Sequence, residues 1–159
     1  MSKRHDLRPE IEDFLYHEAQ LLDDRDYQTW IELFDDEGIY WVPAGKEGDP
    51  DDTMALIYDN KSRLLERLTR MDGRYFFAQQ PPTQTSRLVG NVTVVDGEPG
   101  ELLVTSRFTV SLLRRDNSQT LAGTCQYRLV RDQERYLIRQ KTVWLLNRDR
   151  PIDNLTFLV

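Results

Sequence analysis

The sequence predicts an α+β fold in which helices come first and an antiparallel sheet follows and curls over them. Three observations predict it. Apolar residues recur at spacings of three and four over residues 9–34 and again over 61–71, the period of helices with one buried face. From residue 84 onward the pattern changes to long alternating runs joined by short turn-rich links. A length of 159 residues, with 39% hydrophobic and 30% charged side chains, suits a single domain around one core.

Residues 1–8 read as a flexible polar arm, and 9–73 as mainly helical with one short strand. Pro9 suits the first turn of a helix, where its missing N–H costs nothing. Glu10, Glu12 and Asp13 place negative charge at the positive end of that helix. Its buried stripe is Ile11, Phe14, Leu15, Ala19 and Leu22, and Asp23-Asp24-Arg25 breaks it. Asp26 is the N-cap of a shorter second helix that buries Trp30, Leu33 and Phe34. Gly38 stops this helix, and Ile39-Tyr40-Trp41-Val42 forms a strand ending at Pro43. Residues 44–53 are an exposed loop; its acids Asp49, Asp51 and Asp52 lack the spacing of a calcium loop. After the short extended run Leu56-Ile57-Tyr58, Asp59 or Asn60 caps a third helix. That helix has an apolar stripe of Leu64, Leu65, Leu68 and Met71. Its opposite face is basic, with Lys61, Arg63, Arg67 and Arg70.

Residues 84–147 read as the antiparallel sheet, with strands over 84–95, 101–114, 119–131 and 135–147. The links at 96–100, 115–118 and 131–134 suit hairpins. Leu102, Val104, Phe108, Val110 and Leu112 alternate with polar neighbours, as do Leu121, Cys125, Tyr127 and Leu129, so one face is buried by the helices. The last strand is apolar on both faces near Val143-Trp144-Leu145-Leu146, which predicts a central strand or an outer face with a partner. Residues 148–159 end apolar, and we expect this tail to dock, either on this subunit or on a neighbour.

Composition excludes several functions. With 27 acidic against 21 basic residues and a net charge of −6, the chain lacks the basic face that nucleic acid requires. No apolar run is long enough to span a membrane, and the N-terminus has no secretory pattern. The expected location is cytoplasmic. One cysteine, Cys125, cannot hold an iron–sulfur cluster and reads as a small buried hydrophobe. A two-histidine iron site would need both His5 and His17, the only imidazoles, and His5 lies in the arm. There is no nucleophile elbow and no glycine-rich phosphate loop. His17 reads first as a boundary histidine bonded to a carboxylate such as Asp13. A sharper reading makes it a general base in a pocket lined by Tyr16, Tyr40, Trp41 or Tyr58. For Tyr16 and Glu18, hydrogen bonding between helix and sheet is the simpler role.

The order of motifs carries further information. FLYHEAQLLDDRDYQTWIELF at 14–34 and YWVP at 40–43 resemble the N-terminal signature of the small (beta) subunits of aromatic-ring-hydroxylating, Rieske non-haem iron dioxygenases. The resemblance continues through DNKSRLLERLTR at 59–70, TSRLVGNV at 85–92, the strand around Trp144 and NLTFL at 154–158. It implies a cone-shaped, cystatin-like or nuclear-transport-factor-like fold, with a strongly curved antiparallel sheet wrapped on helices. It implies an α3β3 hexamer that adds both atoms of O2 to an arene as a cis-dihydrodiol, using electrons from NADH. The Rieske [2Fe-2S] cluster and the mononuclear Fe(II) would lie in the large (alpha) subunit, and this chain would hold no cofactor. Its role would be mainly structural, with a possible influence on substrate choice. Contacts with large and sibling subunits would use Arg63, Arg67, Arg70, Trp144 and Phe157.

Two other readings stay open at the level of sequence. The same cone hosts lyases and isomerases that work by acid–base chemistry, for which His17, Tyr16 and Tyr40 are the available residues. A noncatalytic small-ligand-binding domain is the other. Both need an open cavity, whereas a cone plugged by Phe14, Trp30 and Phe108 favours the subunit reading.

Overall fold

A computed structural model describes residues 2–44, 55–71 and 82–146, and over them helices pack on one six-stranded sheet. The elements are α1 (Arg8–Asp23), α2 (Tyr27–Ile31), β1 (Phe34–Pro43), β2 (Ala55–Asn60), α3 (Lys61–Met71), β3 (Gln84–Asp96), β4 (Glu101–Arg114), β5 (Asn117–Asp132) and β6 (Arg135–Leu145). The strand order is β2-β1-β6-β5-β4-β3. All neighbours are antiparallel except β1 and β6, which run parallel, so the wholly antiparallel sheet expected from sequence is mixed at this one seam. Breaks in register at Phe34/Ile39, Val42/Pro43, Gly90/Thr93 and Arg128/Leu129 bend the strands where the sheet must curve.

Helix α1 buries Ile11, Leu15, Glu18, Leu21 and Leu22, while Phe14 is half-buried. It ends in a Schellman arrangement: the Asp26 N–H reaches the Leu21 carbonyl at 2.9 Å, and Arg25 takes the left-handed conformation (φ 57°). Asp26 caps α2 through its side chain, which accepts from the Thr29 N–H at 3.2 Å. Asn60 does the same for α3, accepting from the Arg63 N–H at 2.9 Å.

Three expectations need correction. The second helix stops at Ile31, and Phe34 is already the first residue of β1. Pairing with β6 overrides local propensity here, since the Ile138 N–H donates to the Leu33 carbonyl at 2.7 Å. Gly38 therefore stops no helix; it lies within β1 at a register break, where an added Cβ would lie 2.8 Å from the Asp35 carbonyl oxygen. The arm is not loose over residues 2–7. Lys3 bridges Val95, Arg4 N–H donates to the Val94 carbonyl at 2.8 Å, and the Arg4 guanidinium meets Asp96 at 3.1 Å. It covers one end of the β3 edge, which would otherwise present unpaired backbone groups. The third correction is on α3: Leu64 and Leu68 are buried, but Leu65 faces solvent. The loop acids Asp49, Asp51 and Asp52, the tail 148–159 and Phe157 lie outside the described residues.

The core lies between the helices and the sheet's inner face, which carries Tyr40, Val42, Val104, Phe108, Val110, Cys125, Tyr127, Leu129, Val143 and Leu145. Trp30 and Phe34 fill the layer beneath, with ring centroids 5.0 Å apart in an edge-to-face arrangement.

Candidate functional site

Buried charge is expensive, so a carboxylate and an ammonium inside the cone need complete compensation. Glu18, on the buried stripe of α1, and Lys141, on the inner face of β6, meet at 2.8 Å with both side chains buried. The same Glu18 Oε2 accepts from the Trp30 indole N–H at 3.1 Å, and Oε1 accepts from the Tyr127 hydroxyl at 2.6 Å. The Lys141 ammonium also lies 5.9, 5.9 and 5.5 Å from the ring centroids of Trp30, Tyr40 and Tyr127. Burial alone would push the Glu18 carboxyl up. The Lys141 charge and the donated hydrogen bonds outweigh it and hold the carboxyl below its ordinary value. Burial, reinforced by the Glu18 charge, drives the Tyr127 phenol well above its ordinary value, so it stays a donor. The cluster joins α1, α2, β1, β5 and β6 at one point.

The helix–sheet hydrogen bonding expected of Glu18 is what the structure shows, but the sequence reading named none of its partners although a signal was present. Glu18 falls on the i, i+4, i+7, i+11 series of Ile11, Leu15 and Leu22, and Lys141 is in phase with Val143 and Leu145. One acid and one base on inward-facing positions are the mark of a buried pair. The proposed base and its lining are not brought together. Tyr16 and His17 are exposed on the outer side of α1, whereas Tyr40 is fully buried. A cleft of about 580 Å³ opens elsewhere, between the starts of β1 and α3 and the β5–β6 hairpin. Its walls mix charges of both signs, including Arg139 paired with Asp35 at 2.7 Å, and neither Glu18 nor Lys141 lines it.

The subunit-contact candidates sit on the other side of the sheet and on α3. Trp144 is half-buried on the outer face, edge-on to Trp41 at 5.4 Å between centroids, and Trp41 in turn meets Tyr58 at 6.1 Å. Arg63 and Arg70 are exposed on α3. Arg67 is engaged with buried Asp59 at 2.7 Å, so the basic face is narrower than the sequence suggests.

The donor set does not fit an iron centre. A Rieske cluster takes two cysteines and two histidines, but the chain has one cysteine, turned into the core with its thiol pushed up to about 11 by burial. Among the described residues no three histidine, cysteine or carboxylate groups gather as a metal site.

Comparison with known proteins agrees with this geometry. A family model described as ring hydroxylating beta subunit matches residues 17–149. The chain is 33% identical over 141 residues to the small oxygenase component of the p-cumate 2,3-dioxygenase system of Pseudomonas putida, covering 87% of this chain and 78% of that protein. In structure it is similar to the beta subunit of benzoate 1,2-dioxygenase from Burkholderia mallei. The TM-score is 0.78 at 24% identity, covering 93% of this chain and 95% of that one. It is also similar to a chain of naphthalene 1,2-dioxygenase with indole in its active site, with a TM-score of 0.80 at 20% identity over 97% of this chain and 86% of that one. At these identities the two structures attest the fold. With 133 consecutive residues under the family model and a third of positions shared with a curated relative, the chain belongs to the ring-hydroxylating beta-subunit family, the small subunits of aromatic-ring dioxygenases.

Proposed function

We propose that this chain is a noncatalytic subunit that assembles with a large subunit and with two further copies of itself as an α3β3 oxygenase in the cytoplasm. The single observation that carries the proposal is the filled cone. Its most polar point is an ion pair whose hydrogen bonds are made within the chain, and its large rings, Trp30, Phe34 and Tyr40, are fully buried. A substrate would have to displace core side chains, at a cost typical of core disruption.

In this reading the Rieske cluster and the mononuclear Fe(II) reside in the large subunit and supply the oxygen chemistry there. This chain's own residues hold the shape of the sheet and present its outer side. Contacts draw on Arg63 and Arg70 of α3 and on Trp144, with Arg67 anchored by Asp59 and Phe157 in the segment beyond the described residues. Exposed arginines and aromatics are the residue types that interfaces favour. The complex would cis-dihydroxylate an arene with O2 and NADH-derived electrons, and this subunit would tune substrate choice only through the large chain it supports.

The test is co-expression with a large subunit of an aromatic-ring dioxygenase. Size-exclusion chromatography with native mass spectrometry should give a complex with equal numbers of the two chains and a mass of three pairs. A stable monomer that ignores the large subunit overturns the proposal.

A further inference from the structure

The outer face of the sheet is poor in charge. Val104, Tyr127 and Val143 turn inward, so alternation puts the cross-strand row Thr93, Thr105, Gln126 and Thr142 on the outer side. The two rows after it run from Gly90 to Thr124 and from Leu88 to Ala122, and Arg107 is the one charged side chain in all three. A solvated sheet face ordinarily alternates in charged and polar groups, and the side chains of this chain are 30% charged. Among the described residues, Leu56, Tyr58, Leu88 and Leu113 are four of the seven exposed large apolar side chains, and all four lie on this face. Charge returns toward the end where Arg128 and Glu101 pair at 2.8 Å. A charge-depleted centre with apolar anchors and a charged rim is the anatomy of a protein–protein contact.

The chemistry of the face selects its occupant. Threonine hydroxyls and glutamine amides both donate and accept, so a face built of them can meet a like surface with no charge left unpaired. Copies of a chain with net charge −6 repel one another, and the contact least opposed is one from which acids are absent. None stands in these rows. Six strands about 4.8 Å apart and three rows about 6.8 Å apart give on the order of 600 Å² per copy, close to the roughly 800 Å² that each partner gives to a standard interface. We propose that this face is the contact between copies of the chain, which rests on the part of the assembly reading in which copies meet. On the outside of a curved sheet the β2 and β3 flanks point apart, so the contact is heterologous and can close a ring. The β2 flank of one copy, with Leu56 and Tyr58, lies against the β3 flank of the next, with Leu88 and Arg107. The Arg107 guanidinium then stacks on the half-exposed Tyr58 ring of its neighbour, a cation–π contact.

Sedimentation equilibrium of the full chain tests this. The parent should self-associate between about 0.5 and 50 µM, the range of a contact of this size. Gln126→Glu sets an acid in the middle of the face and should raise the dissociation constant at least about tenfold. Leu88→Asp, at a side chain 75% exposed, should do the same at unchanged far-UV circular dichroism, which separates a lost contact from a misfolded chain. Gln28→Glu makes the same chemical change on the exposed side of α2 and should leave association within about twofold of the parent. A parent that stays monomeric overturns the proposal. Gln126→Glu and Leu88→Asp chains that associate as tightly as Gln28→Glu overturn it too, and leave the assembly reading standing if the large subunit still binds. So does a Gln126→Glu chain that loses the large subunit while still associating with itself, which would assign the face to the large subunit. Self-association weakened by Gln126→Glu in a chain that never binds the large subunit would sink the assembly reading and leave this one standing.

Discussion

Glu18 and Lys141 form a 2.8 Å pair in which neither partner can be lost cheaply. Lys141→Met leaves a carboxylate buried without its counter-charge and should cost about 3–5 kcal/mol in urea unfolding. Adding Glu18→Gln removes the charge and keeps one acceptor oxygen for the Trp30 indole N–H, while the Tyr127 hydroxyl can turn to accept from the amide NH2, so the double variant should recover much of that loss. A double variant no more stable than the single would show that the charge itself is not the issue. The same pair sets a pH dependence. The folded Glu18 carboxyl lies below its ordinary value, so its contribution is present above about pH 4.5 and is lost as pH falls through the lower folded value. In Lys141→Met, burial is left uncompensated and raises that carboxyl instead. Acidification from pH 7 should therefore destabilise the variant less than the parent, a difference that unfolding curves at several pH values will read.

At the scale of elements, α2 is only five residues long and cannot be stable by propensity. It is held by what Trp30 touches: Phe34 at 5.0 Å, Tyr40 at 5.7 Å and the Glu18 carboxylate. Trp30→Ala should cost about 3–5 kcal/mol, and a loss under about 1 would mean that the ring does not join helix to sheet. The β5 strand depends on a close approach at Gly123, where an added Cβ would collide with the Trp144 carbonyl oxygen and lie 2.9 Å from the Phe108 ring. Backbone cannot step aside as a flexible side chain can. Gly123→Ala should lower the urea midpoint by the equivalent of about 1–3 kcal/mol, an overpacking penalty. Helix α1 and the hairpins were legible because their periodicities are local. The start of β1 was not, because Phe34 and Leu33 join the sheet through residue 138, a hundred positions away, and no local pattern encodes that partner.

For the whole molecule, the acid–base alternative to the proposed supporting role turns on His17. It is exposed on α1, away from the buried Tyr40. His17→Ala should leave turnover of the reconstituted oxygenase within about twofold, whereas a fall of 10²–10⁴-fold, the scale of a lost general base, would place it in the chemistry. Among the described residues no helix is long and apolar enough to cross a membrane.

The amino-acid order by itself determined the α+β class, the inward-facing alternation of β4 and β5, the caps at Asp26 and the 59–60 step, and the family through its ordered motifs. These are properties of local spacing and residue type, with the family carried by the order of such local motifs along the chain. Only the tertiary structure decided the parallel β1–β6 seam, the docking of the arm on β3, the pairing of Arg67 with Asp59 and the meeting of Glu18 with Lys141 across 123 residues. Each of these couples groups distant in sequence. Whether a carboxylate on a helix is solvated or buried depends on which ammonium and which rings the fold brings within 3–6 Å of it.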